Sequence, residues 1–288
     1  MTQFNCLFCD SIVDDKKSYN YYLNFLNKYY YYYKCKKCHV NFINPVPDAK
    51  DLEKIYSTQY YSDFYLKNIV EDYEFKFFYK RIEKYLNLSD LVLDLGCGDG
   101  KFLKLLNKKK IETFGCDFPS KILNNLKNEN YNVFTFDRLK QHRNKFNLIY
   151  LRDVFEHSTN PNKLINEISE CLKSDGYLVI DGPVEKNFSI TNQVIDLNIY
   201  IKRKLGIFNS NNAPYHITLY NKSQLLNFLN KMNYTVVKYF LYETGWPLIN
   251  SSFIKKIIAR FSIMISKIFF LNKFYGNRCL VVLKKNEK

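Results

Sequence analysis

One short stretch constrains this chain more than any other. The apolar run Leu91-Val-Leu-Asp94-Leu95 is followed at once by Gly96-Cys97-Gly98-Asp99-Gly100, and then by apolar positions at helical spacing over 101–107. A buried strand, a turn bare of side chains and a helix form the opening of a doubly wound α/β sheet. The glycines let the backbone pass close to a bound ligand where a Cβ would collide. A dinucleotide fingerprint needs its third glycine one position later, where Lys101 stands, and a phosphate-cradling loop needs a Gly-Lys-Ser/Thr ending, which Phe102 breaks. What remains is a Gly-x-Gly-x-Gly turn behind a strand that carries Asp94. That arrangement suits a ligand with a cationic sulfonium and an amino acid moiety better than one with a pyrophosphate.

Further apolar runs alternate with helical patterns. The second strand, 111–116, ends in Asp117, which either accepts the two hydroxyls of a ribose or caps the helix that begins near Pro119 and Ser120. The third, 131–136, ends in Asp137, where an acid often meets an adenine amino group. The fourth, 146–151, leads into Arg152-Asp153-Val-Phe-Glu156-His157; a helix over 161–172 and a fifth strand over 176–180 follow. This alternation predicts a mostly parallel sheet covered on both faces. At 288 residues, 47% of them hydrophobic, the chain suits one core domain with a small appendage.

The appendage announces itself by two Cys-x-x-Cys pairs, Cys6/Cys9 and Cys35/Cys38. A two-residue gap lets both thiolates of a pair face one ion, and the second pair completes a tetrahedron, so the spacing predicts a structural Zn²⁺ site in a ribbon-like module. The glycine usual after each pair is replaced by Asp10 and His39, and His39 is an alternative ligand for one cysteine. A module this small cannot bury enough apolar surface alone, so metal binding is expected to supply its folding energy. Cys97, Cys116, Cys171 and Cys279 lack such spacing and read as small core residues. Tyr29 to Tyr33 look like a stacking platform, but Tyr, Asn and Lys abound throughout, and biased filler is the plainer reading. Asn44-Pro-Val-Pro-Asp48 marks a linker, with helices expected over 48–56 and 69–86. The expected organisation is a zinc module at 1–45, a linker with helices at 46–88, and a core domain at 89–288 with inserts at 184–222 and 246–274.

A net charge of +15 suits nucleic acid, anionic membrane or phosphorylated substrates, but the lysines are scattered, as on the surfaces of a lysine-rich proteome. The start lacks the charged-then-apolar pattern of a secretory signal, and 253–271 is interrupted by Lys255, Lys256, Arg260 and Lys267. A cytoplasmic protein is expected. The 251–271 segment reads as a basic amphipathic helix, either packed as a lid on the enzyme or lying on an anionic membrane near a lipid-linked acceptor. The lid is the preferred reading.

Taken in order, Asp94-Leu-Gly-Cys-Gly-Asp-Gly100, Gly115-Cys-Asp117, Asp153-Val-Phe-Glu-His157 and Leu172-Lys-Ser-Asp-Gly-Tyr-Leu-Val-Ile180 resemble the signature of class I S-adenosylmethionine-dependent methyltransferases, in particular the branch with a Glu-His element after the fourth strand. The resemblance covers about 89–242 and implies a seven-stranded doubly wound sheet. It implies S-adenosylmethionine with Asp94, Gly96, Gly98 and Gly100 at its methionine end, Asp117 and the adjoining Phe118 at the ribose, and Asp137 near the adenine. The cysteine pairs, the Pro-rich linker and Ile55-Tyr-Ser-Thr-Gln-Tyr-Tyr61 also resemble an appendage on methyltransferases of sugar and surface-glycan pathways. Asn147, where the family usually has aspartate, is the one departure.

Methyl transfer to a hydroxyl is an in-line displacement that needs a base. His157, with Glu156 beside it, is one candidate, unless the pair orients the loop; His216 is the other, since the resemblance implies a histidine at this place that reaches the pocket rim from a lid. Asp153 is a third, with a structural role favoured. His142, in a basic loop, reads as solvated. Tyr60 and Tyr61 are weak candidates for closing over the donor. A small-molecule or glycan acceptor is expected. Nucleic acid is disfavoured because the fourth strand ends in Leu151-Arg-Asp-Val154, without the Pro-Pro-aromatic or Pro-Cys turns of base-modifying enzymes. A donor-binding scaffold without activity is the third reading, and oligomeric state stays open.

Overall fold

The computed structural model describes residues 3–14, 17–56, 72–208, 212–268 and 273–286. Tyr60, Tyr61 and positions 69–71 of the expected second helix lie outside the described residues, as does the end of the amphipathic segment at 269–271.

The N-terminal part is all strand. A short hairpin, β1 (Phe4–Asn5) with β2 (Ile12–Val13), precedes β3 (Lys17–Phe25), β4 (Lys28–Lys34) and β5 (Asn41–Asn44), which pair antiparallel in that order. Two helices follow, α1 (Ala49–Ile55), held at its start by an Asp48/Asp51 capping box, and α2 (Asp72–Ile82).

The core repeats strand and helix. β6 (Leu91–Leu95) leads to α3 (Lys101–Lys108), β7 (Glu112–Asp117) to α4 (Lys121–Asn128), and β8 (Asn132–Thr135) to a short turn. Next, β9 (Phe146–Arg152) leads to α5 (Pro161–Cys171), and β10 (Leu172–Pro183) to α6 (Ile190–Lys204). The chain ends with β11 (Thr218–Leu219), α7 (Lys222–Lys231), β12 (Tyr234–Tyr242), α8 (Phe253–Ser266) and β13 (Arg278–Lys285). Seven strands form the central sheet in the order β12-β13-β10-β9-β6-β7-β8. The strands from β10 to β8 run parallel; β13 lies antiparallel between β10 and β12.

This is the class I methyltransferase architecture the resemblance implies. Leu93 and Leu95 of β6, and Leu148, Ile149 and Leu151 of β9, are fully buried because helices cover both faces. Helix starts are set locally: Ser120 accepts from Leu123 N at α4, and Asn160 accepts from Lys163 N ahead of Pro161 at α5. The chain order reverses between β6 and β9, so a crevice opens there at the carboxyl ends of the strands. Cys97, Cys116, Cys171 and Cys279 are buried, as expected of core residues. Asn147 ties neighbouring strands together, its Oδ1 accepting from Leu91 N and Lys173 Nζ at 3.1 and 2.9 Å.

Three expectations need correction. First, the N-terminal module does not rest on a metal alone. Phe8, Val13, Tyr33 and Phe42 share one apolar cluster with Leu95, Phe155 and Phe228 of the core domain, and Phe8 packs on Phe155, Tyr220 and Phe228 with ring centroids 4.6–5.9 Å apart. β11, from the 184–222 insert, pairs with β5 and so completes the module's sheet.

Second, the tyrosine run is no filler. Tyr30, Tyr32 and Tyr33 are buried while Tyr29 is exposed; Tyr30 donates to Asp51 and Tyr32 to the carbonyl of His216.

Third, α8 packs on the protein as the lid reading expects, but it leaves part of its large apolar surface uncovered. Its fully buried side chains are small, with Ala259 against Gly245 and Ser262 pairing with Tyr275 Oη at 2.6 Å, while Ile258, Ile263 and Ile265 are half-buried beside them. Phe253, Ile254, Ile257, Phe261 and Met264 face outward and are 50–77% exposed. Among the described residues no helix is long and apolar enough to cross a membrane.

Candidate active site

The turn after β6 and the segment after β9 meet at the crevice. Gly96 has φ +80°, and a Cβ on it would lie 2.2 Å from Val154 Cγ2, so neither the conformation nor the space admits a side chain. Gly98 and Gly100 also have positive φ. Gly98 N donates to Asp117 Oδ2 and Phe118 N to Asp117 Oδ1, both at 2.7 Å. Asp117 is thereby fixed at the end of β7, and each oxygen keeps a lone pair for a ligand hydroxyl. The helix cap is Ser120, which removes the capping alternative for Asp117. Asp94 is 4% exposed; burial, reinforced by Asp117, pushes its carboxyl up to about 8. A cation placed beside it would be favourable.

Phe118 is exposed on the rim, stacked on Tyr56 at 5.6 Å and packed against Phe136 at 5.0 Å. Asp137 is exposed at the start of the turn after β8. A flat, aromatic-walled rim beside two acids fits an adenosine, and the bare turn beside Asp94 fits the charged methionine end. Tyr56 also meets His157 edge-on at 6.1 Å, so one ring borders both halves of the site.

Beyond β9 stands a polar cluster. The rings of His157 and His216 are 5.0 Å apart, and His157 Nε2 lies 3.7 Å from Glu156 Oε1. His157 Nδ1 lies 2.6 Å from the carbonyl of Tyr215, which makes Nδ1–H the donor and leaves the lone pair on Nε2. His216 Nδ1 pairs with Glu185 Oε1 at 2.7 Å. Burial pulls His157 down to about 4, with His216 adding to the effect. Burial would also lower His216, but Glu185 overrides it and raises the imidazole to about 9. Glu156 is 1% exposed, its two carboxylate oxygens accept no hydrogen bond among the described residues, and burial pushes it up to about 8.

Asp153 is elsewhere engaged. Arg278 Nη2 donates to its Oδ1 at 2.7 Å, and against the opposing effect of burial Arg278 holds its carboxyl low. Arg278 Nε also donates to Tyr242 Oη, which donates to Asp181 Oδ1 at 2.6 Å; Arg152 lies 3.6–3.7 Å from Asp153 and Asp181. This buried network braces the strand ends under the site. His142 is not the solvated residue expected: its ring packs 4.2 Å from Phe134, and burial lowers its pKa.

Sequence reading missed Glu185, Tyr56, Tyr220 and Arg278. Each meets its partners only through the fold, and none carries a spacing signal.

Away from the crevice, Cys6, Cys9, Cys35 and Cys38 each offer a sulfur within 4.8 Å of the others, with Cys6–Cys38 at 3.5 Å and Cys9–Cys35 at 3.6 Å. Both turns close alike: Asp10 N and His39 N donate to the carbonyls of Cys6 and Cys35, at 2.9 and 3.0 Å. Asp10 and His39 adopt φ 56° and 61°, so they take the left-handed conformation that glycine usually supplies; both residue types are enriched there. Lys37 N and Cys38 N point at Cys35 Sγ, an arrangement that suits a thiolate. Four soft ligands at tetrahedral spacing fit one zinc ion.

A model of the family described as "Methyltransferase domain" matches residues 70–239. A SAM-dependent methyltransferase from Archaeoglobus fulgidus superposes with TM-score 0.55 at 20% identity, over 78% of this chain and 100% of that one. One from Methanosarcina mazei gives 0.51 at 16% identity, over 73% and 99%. These two likenesses concern the fold. In sequence, the chain is 30% identical over 131 residues to a tRNA U34 carboxymethyltransferase from Campylobacter concisus, which is 41% of this chain and 45% of that protein. The chain thus spans less than half the length of that curated relative.

Proposed function

The chain belongs to the methyltransferase-domain family, whose donor is S-adenosylmethionine, and we propose that it methylates a hydroxyl of a small acceptor: a sugar, a nucleotide sugar or the end of a surface glycan. One observation carries this reading. The bare turn with Asp117 and the cluster of Glu156, His157 and His216 adjoin at the strand ends, Gly96 against Val154 and Tyr56 touching both Phe118 and His157. The acceptor oxygen bonds to the methyl carbon, the sulfonium–carbon bond breaks with its electron pair left on sulfur, and the acceptor proton leaves through the polar cluster. Asp153, paired with Arg278, is read as a brace. A turnover screen with labelled donor against nucleotide sugars, glycans and RNA tests this. Methyl incorporation into a sugar hydroxyl is expected; incorporation into RNA alone would overturn it.

The tRNA-modifying relative gives the second reading its specific support, together with the charge of +15. Gel-shift titration across salt separates the two. The small-acceptor reading expects only weak binding that falls steeply with salt.

The four cysteines are read as the ligands of one structural zinc ion, which has no open coordination position and takes no part in transfer.

The outward stripe of α8 supports contact with an anionic bilayer surface. Leu197 and Tyr200 of α6, which packs on α8, are also exposed, and exposed Lys256, Arg260 and Lys267 edge the apolar side chains. No acidic residue lies between Glu243 and Glu287, so the charge matches anionic lipid. Co-sedimentation with phosphatidylglycerol vesicles and none with phosphatidylcholine is expected. Binding to neither, or burial of the stripe in a dimer by sedimentation velocity, would refute it.

A further inference from the structure

We propose that Glu156, His157 and His216 bind one divalent first-row transition-metal cation, distinct from the ion of the cysteine cluster. The role given to this cation below rests on the methyl-transfer reading; its binding does not.

The placement of ligands is the first argument. Each of the three residues offers a ligand atom within 4.8 Å of the other two. Ligand atoms roughly 2.0–2.2 Å from one cation lie about 3.0–3.6 Å apart, so binding would draw these atoms together by at most about 1–2 Å, within reach of side-chain rotation.

The second is a polar debt at the centre of the cluster. A buried carboxylate is normally hydrogen-bonded, yet among the described residues neither oxygen of Glu156 accepts a hydrogen bond, and its nearest partner, His157 Nε2, stands off at 3.7 Å. The hydroxyl of Tyr220, 2% exposed and in the field of Glu156 and Glu185, likewise has no hydrogen bond among the described residues. A cation with a bound water satisfies both kinds of group.

The third is how the imidazoles are held. Nδ1 of His157 is fixed by the Tyr215 carbonyl and Nδ1 of His216 by the Glu185 carboxylate. An acceptor on one ring nitrogen fixes the tautomer and leaves the other nitrogen as a ligand, and a carboxylate acceptor raises its basicity.

The fourth is charge. Asp153 and Asp181 are balanced by Arg152 and Arg278. Glu185 pairs with His216, and Glu156 lies beside His157 with no cationic side chain in ion-pair contact among the described residues. A divalent cation on the free ring nitrogens and Glu156 would balance the carboxylates in place of a proton on His216.

The fold also fixes the ligand-bearing segments against each other: Ile217 N donates to the Glu156 carbonyl at 2.9 Å, and Tyr32 Oη to the His216 carbonyl at 2.7 Å. Two nitrogens and a carboxylate oxygen suit Mn²⁺, Fe²⁺, Co²⁺ or Zn²⁺ better than Mg²⁺ or Ca²⁺. Three protein ligands leave positions open. An acceptor hydroxyl held there would be made more acidic; its proton would leave through the same polar cluster, by way of a water on the cation, and the oxygen would then be free to attack the donor methyl. Vicinal hydroxyls of a sugar would fill two open positions.

The test uses full-length protein with its cysteine site loaded with zinc, titrated with Mn²⁺ without donor and followed by loss of the free-ion EPR signal. Mn²⁺ has little affinity for a thiolate site, so it reports on the second cluster. One Mn²⁺ per chain is expected, with affinity lowered about 10- to 100-fold in His216→Ala and Glu156→Gln, and by a similar factor in the outer-shell variant Glu185→Gln. S-adenosylhomocysteine affinity, read by calorimetry on the same samples, should stay unchanged and certifies folding. No Mn²⁺ or Co²⁺ uptake beyond the cysteine site, or uptake equal in all variants, overturns the proposal. Uptake lost in the variants, with no methyl transfer to any hydroxyl, supports the cation site and instead removes the acceptor reading.

Discussion

The hydroxyl of Tyr32 donates to the backbone carbonyl of His216 at 2.7 Å, joining residues 184 positions apart. The bond is part of a short ladder: Ile43 N donates to the Ile217 carbonyl, and Ile217 N to the Glu156 carbonyl, both at 2.9 Å. The N-terminal module is therefore built into the wall of the crevice. It holds His216 opposite His157 as a strand holds its neighbour.

Tyr32→Phe removes the hydrogen bond to the His216 carbonyl while keeping the ring. A stability loss of about 1 kcal/mol is expected, measured by urea unfolding. If His216 serves the acceptor step, kcat falls roughly tenfold through misplacement, while donor affinity by calorimetry is unchanged. Equal loss of both would mean that the module supports the whole fold and not His216 in particular.

Cys9→Ser should release the ion of the cysteine cluster, read as zinc per chain by mass spectrometry. Because the module's core is continuous with that of the domain, Tm should fall without abolishing donor binding. Complete unfolding on metal loss would restore the picture of a module held together by metal alone.

The pH dependence of donor affinity follows from Asp94. Its folded pKa, raised to about 8 by burial, lies above the unfolded carboxylate value, so the protonated form contributes stability at low pH that is lost as pH rises through about 8. A cationic donor favours the ionised form. Binding should therefore release a proton, and affinity should rise between about pH 6 and 8 and then level. In Asp94→Asn the rise should vanish, by calorimetry in two buffers of different ionisation enthalpy.

The sheet was legible because its signals are local. The bare turn after Leu95, the acid closing 111–116 and the apolar runs between them are each set by neighbours within a few residues. Helix and strand ends fell within a few positions of expectation, apart from β10, which starts at Leu172 with an irregularity before Tyr177. The clustering of the four cysteines was legible for the same reason, and even the missing glycines resolve into Asp10 and His39 adopting their conformation. What stayed hidden depends on tertiary approach. Glu185 gains meaning only beside His216, Arg278 only beside Asp153, and Tyr56 only between Phe118 and His157. The tyrosine run misled because biased composition masks alternation: burial falls on Tyr30, Tyr32 and Tyr33, which composition alone cannot single out. For α8 the sequence did not show how much apolar surface would stay uncovered, because its fully buried positions fall on Ala259 and Ser262 while Phe253, Ile254, Ile257, Phe261 and Met264 stay exposed.

The most direct test is calorimetric titration of S-adenosylhomocysteine into the wild-type chain and into Asp117→Ala. Asp117 is fixed by Gly98 N and Phe118 N where a ribose would lie, and a hydrogen bond to a charged group is worth about 1.5–3 kcal/mol. One site per chain is expected, weakened on the order of 10- to 100-fold in the variant. No binding to the wild type, or equal binding to both proteins, would contradict the assignment of this crevice to the methyl donor.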